Sequence, residues 1–585
     1  MLKQTSKGVA CAVLMAAAGS AMAQPTPAAC GSGTGPDVIV GIITGPTNYT
    51  AVGTREAVSF GTTSCNMGTT ALHWDASPAN THPVIGGNLY KWSTVNGATR
   101  FEQIGLSWLK HGFLALANSD CCTCQNPGTG ALLGVGCSDP YTSSRNGTQS
   151  GLGPRNTVNA HTGAYPTGTP TRPSGGNLGR CEVEIADLEA SSATVKYVGE
   201  CQYVTPDDAA AGRQNNNASR IDVTASGSGT TWTFGFSGTT TRQESAIWRW
   251  RGFDPTVTMN YVQVPDDGMY VVGSKATDLG GGQWHYEYAV YNMNGDRNGG
   301  SFGIPVPAGV TVSNIGFHGV VHRDGSGSGA IPYSTAAWST TESGGMLTFA
   351  CETPAANPNA NAIRWGTTYN FRFDTNSPPA SGSNNVTLGL WKNGTVPSVQ
   401  VGAVVPSCGV AAGFSAHPSA STVCPGDNAT FSATATGTNP AHQWQRETSP
   451  GVYASIGNGA IAGLGTVSGA TTGTLTITGV EAGATSNFRD TASNGCGTAS
   501  GNPASLTVRP ANDPLCGGLV CDNTDFNGDT LQPDTADIDD FLSVFSGGPC
   551  STGNCGDIDF NNDSLYPDTG DIDALLSVFS GGPCL

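Results

Sequence analysis

One 26-residue unit occurs twice at the end of the chain, and this duplication restricts the fold more than any other sequence feature. Residues 525–550 recur 34 positions later as residues 559–584, and 20 of the 26 aligned positions are identical. Chance does not give such identity at a fixed spacing, so these are two copies of one unit. Residues 513–585 also contain 14 aspartates and no lysine, arginine or glutamate, so most of the formal charge of -18 lies in this tail.

Each copy opens with an acidic loop in which oxygen-bearing residues alternate. Positions 1, 3, 5 and 7 of such a loop supply three side chains and one backbone carbonyl, which together wrap one side of a calcium ion. These residues are Asp525, Asn527, Asp529 and the carbonyl of Leu531 in the first copy, and Asp559, Asn561, Asp563 and the carbonyl of Leu565 in the second. Hard oxygen ligands with no histidine nearby favour Ca²⁺ over zinc or copper, so calcium is the cofactor that we expect.

Two aspartates in each copy compete to be the last ligand. An EF-hand loop carries its bidentate carboxylate at position 12, but here the carboxylates come at position 13, as Asp537 and Asp571. An inserted residue before them, accommodated by a bulge, restores the geometry. Asp534 and Asp568 are the rival ligands.

A helix is predicted after each loop, because apolar residues recur there at i, i+3, i+4 and i+7. They are Ile538, Phe541, Leu542 and Phe545 in the first copy, and Ile572, Leu575, Leu576 and Phe579 in the second. A half EF-hand loop followed by one helix, present twice, resembles a type I dockerin. The Gly-Gly-Pro-Cys ending of each copy resembles the GC-type dockerin-like domains of secreted bacterial proteins.

The dockerin resemblance implies that residues 513–585 fold with calcium and bind a cohesin-like or other surface-anchoring receptor. The chain departs from the pattern at loop position 6, where the usual glycine is Thr530 or Ser564. For the four cysteines that flank the two copies, clamps within each copy, Cys521–Cys550 and Cys555–Cys584, are the simplest pairing. Four cysteines allow three connectivities, so a swapped set stays open.

The first 23 residues have the pattern of a secretory signal peptide: Lys3 and Lys7, an apolar run over residues 9–18, and a small-residue cleavage site at residues 21–23. No later stretch has 18 consecutive apolar residues, so we expect a secreted or cell-surface protein without a transmembrane segment. Loss of Cys11 leaves 17 of 18 cysteines, mostly paired, with one free or bridged to another molecule. The negative charge argues against nucleic-acid binding.

The rest of the chain is rich in glycine and lacks long helical periodicity, which predicts a mostly β, multidomain fold of β-sandwiches. We expect residues 24–405 to form a large β-rich region. Two sandwiches divided near residue 255 are one arrangement that fits its length. Alternation predicts strands over 283–290 and 367–373, whereas residues 100–117 are predicted to be helical. Two prolines limit the segment 303–307 to an edge strand.

Residues 406–510 resemble the bacterial immunoglobulin-like repeats of secreted multidomain proteins. Residues 428–434 and 473–477 are predicted strands, and Trp444 supplies the buried tryptophan of the third strand. Asp490 stands where such a domain has its second inter-sheet cysteine. Cys424 and Cys496 are predicted to pair across the sandwich instead.

Three groups in residues 24–405 are weak candidates for chemistry. Cys121, Cys122 and Cys124 with Cys137 form a metal site or, as we favour in a secreted chain, disulfides. His318 and His322 share a strand face and hold a metal or, as we favour, simply pack. Residues 203–208 with 215–217 bind an ion or a sugar, although a polar turn explains them equally well. Residues 134–156 resemble uncharacterised secreted proteins, which implies no activity.

Two functions follow from these features. No His-Glu-x-x-His motif or phosphate loop is present. We therefore expect a non-catalytic surface or matrix protein whose sandwiches bind a glycan or protein and whose tail docks it. The alternative is a secreted hydrolase acting on polysaccharide, because dockerins often carry such enzymes. That alternative requires a pocket in residues 24–405 with two converging carboxylates.

Overall fold

The computed structural model describes residues 28–584 except 76–78, 113, 190–194, 323–330, 383, 438–439, 495, 512, 517–519, 532 and 566. The signal peptide expected at residues 1–23 lies outside the described residues. The chain forms two compact units that divide between Ser407 and Cys408. Strands dominate, and within the described residues the only helices longer than five residues lie in the tail, so the mostly β fold class is confirmed.

Unit 1, which ends at Ser407, is built from strands and a few short helical turns. Its strands are β1 (Val38–Val52), β2 (Arg55–Asn66), β3 (Leu72–His73), β4 (Val84–Val95), β5 (Ala98–Leu106), β6 (Leu109–His111), β7 (Leu132–Leu133), β8 (Ser138–Tyr141), β9 (Leu152–Gly153), β10 (Cys181–Glu184), β11 (Lys196–Val204), β12 (Ala218–Ser226), β13 (Thr233–Thr241), β14 (Thr258–Gln263), β15 (Met269–Gly280), β16 (Gln283–Asn292), β17 (Gly299–Pro305), β18 (Val312–Gly319), β19 (Ser339–Ser343), β20 (Met346–Ala350), β21 (Thr367–Thr375), β22 (Asn385–Leu390) and β23 (Ser398–Gly402). Its helices are α1 (Ser143–Asn146), α2 (Ile185–Glu189), α3 (Pro206–Ala210) and α4 (Arg249–Phe253), with 3-10 turns at Gln149–Gly151, Arg155–Thr157 and Ala246–Trp248.

The first sheet has eleven strands, in the order β1-β2-β10-β5-β4-β11-β12-β13, with β6, β8 and β9 attached to its inner strands. It curls until its outer strands meet. Asn48 of β1 accepts a hydrogen bond from the N–H of Phe234 in β13 at 2.8 Å and donates one to its carbonyl at 3.1 Å. The curl encloses an apolar core that contains Val40, Phe60 and Leu89.

The helix predicted over residues 100–117 is wrong, because this segment forms strands β5 and β6. Strand β5 lies between β4 and β10 in the middle of the first sheet, and nearly every residue in it is buried. Strand β4 pairs along β5 from Ala98 to Leu106, and β10 pairs with Gly105 and Leu106 on the other side. This tertiary pairing overrides the local preference from which the helix was predicted.

The second sheet has the order β14-β15-β16-β21-β18 and the third β19-β20-β17-β22-β23. They face each other across an apolar core to which β16 contributes the alternate residues Tyr286, Tyr288 and Val290. The strands predicted over 283–290 and 367–373 are therefore confirmed as β16 and β21. The edge-strand prediction for 303–307 is wrong, since β17 lies between β20 and β22. Pro305 is its last residue, where a missing N–H interrupts no ladder.

The second sheet is covered on its other face as well. Met259, Val271 and Tyr291 of the second sheet pack there against Tyr90 and Phe101 of the first. Side-chain amides fasten the contact: Asn370 donates to the carbonyl of Phe101 at 2.9 Å, and Gln103 accepts from the N–H of Thr368 at 2.8 Å. Unit 1 is therefore a stack of three sheet layers whose middle layer is buried on both faces.

Charged groups are also buried between β5 and the middle sheet. Arg100 donates to Glu287 at 3.0 Å, and His285 lies between Glu287 at 3.1 Å and Asp374 at 2.6 Å. Burial disfavours the charged imidazole, but its hydrogen bonds with Glu287 and Asp374 outweigh burial and raise the pKa of His285 above its usual value.

Three disulfides in unit 1 join Cys30 to Cys122, Cys65 to Cys121, and Cys124 to Cys137. The disulfide interpretation of this cysteine cluster is thus confirmed over the metal site. Cys181, Cys201 and Cys351 are free, so three unpaired cysteines replace the single one that the odd count predicted. No helix in the described part of the chain is long and apolar enough to cross a membrane.

Unit 2 begins with a β-sandwich. Its strands are β24 (Gly413–Ala416), β25 (Ser421–Val423), β26 (Ala429–Ser432), β27 (Thr434–Thr436), β28 (Ala441–Ser449), β29 (Val452–Ser455), β30 (Gly459–Ile461), β31 (Gly465–Ser468), β32 (Thr474–Thr478), β33 (Ser486–Asn494), β34 (Gly497–Ser500) and β35 (Ala504–Val508). One sheet has the order β25-β35-β33-β28-β29, with β34 on β33, and the other β26-β32-β31-β30. Trp444 of β28 is fully buried beside Phe431 and Phe488. This strand order and the buried tryptophan make the domain immunoglobulin-like, as predicted.

The predicted Cys424–Cys496 bond is wrong, because Cys424 pairs with Cys516 and Cys496 with Cys408. Cys424 lies near the beginning of β33 and Cys496 beyond its end, and nine residues of strand span about 30 Å. Asp490, at the position of the missing cysteine, is buried and accepts a hydrogen bond from His442 at 2.5 Å.

We predict that the stability of unit 1 depends on the charge of His285. Because the pKa of this side chain is raised in the folded state, its contribution is fully present below the unfolded value of 6.5 and is lost as pH rises through the folded value. The thermal midpoint of unit 1 should therefore fall by a few degrees as pH rises from about 6 to about 9. In His285→Gln this part of the pH dependence should disappear, and an unchanged profile would contradict the assignment.

Candidate functional site

The tail contains the two predicted helices, α5 (Thr535–Phe545) and α6 (Thr569–Phe579), after a 3-10 turn at Pro514–Cys516. Each helix begins at an aspartate cap. The side chain of Asp534 accepts from the N–H of Ala536, and Asp537 accepts in return from the N–H of Asp534 at 3.0 Å. Asp568 and Asp571 repeat this capping box in the second copy. Such reciprocal caps satisfy backbone donors that have no partner within the helix.

The two copies are interleaved. The segment before the first loop lies beside the second loop, where the N–H of Asp522 donates to the carbonyl of Phe560 at 2.8 Å. In the equivalent contact, the N–H of Gly556 donates to the carbonyl of Phe526 at 2.7 Å. Phe526 and Phe560 of the two loops share one small core with Phe541 and Leu575 of the helices. The tail is therefore one two-fold-like module rather than two separate units.

Interleaving also explains why the simplest disulfide pairing is wrong. The bonds are Cys521–Cys584 and Cys550–Cys555, which is a swapped set, rather than Cys521–Cys550 and Cys555–Cys584. Since the segment before each loop lies beside the other copy, Cys521 meets the end of the second copy and Cys555 meets the end of the first. A third bond, Cys424–Cys516, ties the beginning of the tail to the immunoglobulin-like domain.

The first loop folds its oxygen side chains around its own backbone. The two carboxylate oxygens of Asp525 accept from the N–H groups of Asp529 and Thr530 at 3.0 and 3.1 Å. The oxygen of Asn527 accepts from Asp529 N–H at 3.1 Å, and Asp529 accepts from Leu531 N–H at 2.8 Å. The predicted ligands at positions 1, 3 and 5 thus belong to one continuous turn, and Leu531 follows it.

The second loop repeats this geometry. Asp559 accepts from Asp563 and Ser564 at 3.0 and 3.1 Å, the oxygen of Asn561 accepts from Asp563 at 3.1 Å, and Asp563 accepts from Leu565 at 2.7 Å. Position 6 keeps a left-handed backbone in both copies although it is not glycine, with φ of 70° at Thr530 and 67° at Ser564. That conformation costs about 1–3 kcal/mol in a residue with a Cβ, so the loop turn is maintained against local strain.

In each copy, the two aspartates considered as the last calcium ligand lie in different environments. Asp537 and Asp571 are fully buried, and one oxygen of each faces the N–H of the loop residue at position 3, Asn527 at 3.3 Å and Asn561 at 3.5 Å. Asp534 and Asp568 are helix caps and are only partly buried. No basic residue occurs in residues 513–585, so the tail itself supplies no positive side chain to compensate these buried carboxylates.

The predicted carboxylate ligands do not form a contracted cluster. Within the described residues, the one group of three metal-ligating side chains with atoms within 4.8 Å of one another is Asp540, Cys550 and Cys555. Both of its cysteines are in a disulfide, so this group is not a metal site. The oxygen donors of each loop fit a hard cation. Their side chains lie along the loop and are not gathered at one point.

Sequence reasoning missed Asp540. This buried side chain accepts from the amide of Asn527 at 3.1 Å and from Ser551 N–H at 2.8 Å, and these bonds hold the amide oxygen of Asn527 towards its own loop. Hydrogen bonds from Ser551 lower the pKa of Asp540. The second copy has Ala574 there, and the amide of Asn561 instead lies 3.3 Å from Asp563. The difference between the aligned copies was the signal that could have found it.

The weaker candidates in unit 1 serve the fold. His318 lies on β18, whereas His322 lies beyond the end of that strand, so the shared strand face is wrong. Asp208 accepts from the N–H of Val38 at 2.9 Å, and Asn216 donates to Asp37 at 3.0 Å. Residues 203–208 and 215–217 thus form internal hydrogen bonds. Four well-formed cavities in the described part of unit 1 are each lined by at most one carboxylate, so these four lack the pair that the hydrolase hypothesis requires.

Comparisons with known proteins find weak likenesses to solved immunoglobulin domains. No protein-family model matches the chain, and no curated protein does. Among solved structures, a chimeric titin Z1Z2 is 26% identical over 17% of this chain and 96% of its own, with a TM-score of 0.14. The Ig1-2 module of the Drosophila receptor protein tyrosine phosphatase DLAR is 13% identical over 39% of this chain and 92% of its own, with a TM-score of 0.15. Such TM-scores carry no argument, so the assignment depends on the strand order itself.

The two tail disulfides should differ in their contribution to stability. Cys521–Cys584 closes a loop of 63 residues and Cys550–Cys555 a loop of 5. By loop entropy, removing the first costs about 4 kcal/mol and removing the second about 2 kcal/mol. We predict this order for the double variants Cys521→Ser/Cys584→Ser and Cys550→Ser/Cys555→Ser, measured by hydrogen exchange of tail peptides in increasing urea. Equal losses, or peptide mapping that finds bonds within each copy, would reject the interleaved arrangement.

Proposed function

We propose that this chain is a secreted or cell-surface binding protein without catalytic activity, held in place by a calcium-dependent, dockerin-like module at residues 513–585. The observation that carries this proposal is the pair of fully buried carboxylates, Asp537 and Asp571, each next to an acidic loop in a module with no basic side chain. A buried charge without a counter-charge is strongly unfavourable. A cation bound in each loop removes that cost.

The residues that would hold calcium are those predicted from the loop spacing. In the first copy they are Asp525, Asn527, Asp529, the carbonyl of Leu531 and Asp537, and in the second Asp559, Asn561, Asp563, the carbonyl of Leu565 and Asp571. Burial favours Asp537 and Asp571 over the helix caps Asp534 and Asp568. When bound, calcium supplies positive charge to the loops and joins each loop to the helix that follows it.

Asp540 makes the two sites unequal under this proposal. Asp540 holds the amide of Asn527 away from the proposed calcium ligands. Ala574, at the equivalent position of the second copy, has no side-chain acceptor that could hold the amide of Asn561 in this way. Groups that orient ligands change metal affinity by about 10- to 100-fold. The first site is therefore the tighter of the two.

Exposed apolar side chains at equivalent positions of the two copies form the surface proposed to bind the receptor. Leu542 and Leu576 on the helices are 43% and 45% exposed, and Leu531 and Leu565 on the loops are both 62% exposed. Apolar side chains that remain exposed in matched positions are typical of interaction sites. The partner proposed is a cohesin-like or other surface-anchoring receptor, and seven disulfides suit an extracellular location.

We predict about two calcium ions per full-length mature chain, one for each loop. Asp529→Ala and Asp563→Ala should each reduce the calcium stoichiometry to about one, because each removes a position-5 carboxylate. Asp540→Ala should weaken the first site about tenfold while leaving the stoichiometry unchanged. Isothermal titration calorimetry of the chelator-stripped protein measures both quantities.

Matched controls are available on the exposed faces of the helices. Asp539 and Asp573 are exposed, equivalent in the two copies, and outside the loops, so Asp539→Ala and Asp573→Ala should keep both ions. If these variants lose calcium as the loop variants do, only the total charge of the tail matters. Absence of calcium heat at millimolar concentration would end the calcium proposal.

Attachment should depend on the two helical leucines. We predict that Leu542→Ser/Leu576→Ser moves the protein from the cell-surface or matrix fraction into the medium without changing calcium binding, because only the receptor-facing apolar surface is altered. A chain that ends after Cys516 should be released in the same way, and that end keeps the Cys424–Cys516 bond. Fractionation of expressing cells, with and without chelator, measures the distribution.

The control for attachment is Val452→Ser, which changes an exposed apolar residue of the immunoglobulin-like domain. This variant should stay in the fraction of the unmodified protein. Chelator should mimic the truncation in part, because the disulfides still restrain the module. Equal distribution of the full-length and truncated chains, with and without chelator, would mean that the tail is not an anchor.

A further inference from the structure

A cavity of about 200 Å³ opens at one end of the sheet stack in unit 1. Gly299 of β17 pairs with Leu390 of β22, and Asn292 of β16 pairs with Thr367 of β21, so the connections at these strand ends share one edge. Asn298, Trp391 and Trp365 come from those connections and line the cavity. Exposed Asn156 and Pro358 form its rim. Loops clustered at one end of a rigid sheet scaffold are a common place for binding sites.

His322 gives this cavity a buried acceptor without a partner. The hydroxyl of Tyr369 donates to Asn361 at 2.5 Å, so the 3.1 Å bond between His322 Nε2 and Tyr369 is one in which the imidazole donates. Nδ1 is then an acceptor, and it has no hydrogen-bond partner. The side chain is 8% exposed. Buried polar atoms are satisfied in nearly all proteins, so such an atom needs an explanation.

Two arginines beside His322 keep donors without partners. Arg155 is 5% exposed, and its Nε and Nη2 donate to Ser107 and Asn88, but its Nη1 has no partner. Arg364 lies 3.6 Å from the ring centre of Tyr333, and its Nε has no partner. Among the described residues, neither arginine forms an ion pair.

The electrostatic balance of the cavity is positive. Burial, followed by the charges of Arg364 and Arg155, lowers the pKa of His322 to about 3, so the imidazole is neutral under ordinary conditions. The carboxylate of Asp296 is bound by Lys392 at 2.9 Å and offsets that lysine. Two guanidinium groups therefore remain on the walls without an ion pair.

We propose that this cavity binds one sugar unit that carries a carboxylate, of the uronic-acid class. The unpartnered Nη1 of Arg155 and Nε of Arg364 are charged donors that suit a carboxylate, and the neutral His322 accepts from a sugar hydroxyl. The rings of Trp365, Trp391 and Tyr333 provide flat apolar walls for the C–H face of the sugar. A volume of about 200 Å³ lies below the 300–1,000 Å³ typical of drug-sized ligands, which limits the occupant to one small unit.

This site lies entirely in unit 1 and does not depend on the proposed role of the tail. A failure of calcium binding or attachment would leave it untouched, and its own failure would leave the docking module standing. The site names a ligand class for the β-rich region, in which a carboxylate and hydroxyl groups are recognised together.

The test is calorimetric titration of the full-length mature protein, in calcium, with D-glucuronate, D-glucose and sulfate. Glucuronate should bind at least about tenfold more tightly than either of the others, because only it offers both the carboxylate and the hydroxyls. Arg364→Gln should weaken glucuronate binding about tenfold or more. Arg251→Gln, which removes an exposed arginine outside the cavity, should leave the affinity unchanged.

Lys392→Gln keeps the test decisive if Arg364→Gln fails to fold, because Lys392 is a partly exposed side chain of the cavity wall. Its removal should weaken glucuronate binding several-fold with an unchanged thermal midpoint. No glucuronate binding at millimolar concentration, or glucose binding as tightly as glucuronate, would overturn the proposal. Sulfate binding as tightly as glucuronate would overturn the assignment to a sugar. Unchanged affinity in both Arg364→Gln and Lys392→Gln would place the ligand elsewhere.

Discussion

The burial of the middle sheet of unit 1 on both faces is the constraint on which the rest of that unit depends. In a sheet without water on either side, polar side chains must find their hydrogen-bond partners within the protein. Asn370 and Gln103 do so through backbone groups of the facing layer, and Arg100 with Glu287 through a buried ion pair. These directional contacts fix the first sheet relative to the sandwich. They therefore also fix the strand ends from which the cavity is built.

The local sequence pattern predicted the structure correctly where buried and exposed residues alternate along a strand. The alternation in residues 283–290 predicted β16 and its core-facing side chains, and the position of Trp444 predicted the centre of the immunoglobulin-like domain. It failed for residues 100–117, because the centre of a sheet buries both faces of β5 and removes the period-2 signal. The cavity was also invisible, since Arg155, His322 and Arg364 are far apart in sequence and meet only through sheet pairing.

The tail separates what a repeat can predict from what it cannot. The spacing within one copy was enough to predict the loop turns and the helices, because each forms from contacts a few residues apart. The disulfides depend on contacts between the copies, such as Asp522 with Phe560, and no spacing within a single copy contains that information. The role of Asp540 was missed for another reason, because this residue lies at a position where the two copies differ.

The cavity and the tail loops differ in what holds their charged groups before any ligand arrives. The guanidinium of Arg155 is already held by Ser107 and Asn88, and Asn88 in turn donates to buried Glu200. The loop and cap carboxylates of the tail are held mainly by backbone N–H groups and meet no basic side chain within the tail. A cavity of the first kind is organised without its ligand, whereas under the calcium proposal a bound cation would offset the repulsion among the carboxylates of the tail. The calcium proposal thus makes the order of the tail depend on a bound cation, while the order of unit 1 comes from its own packing.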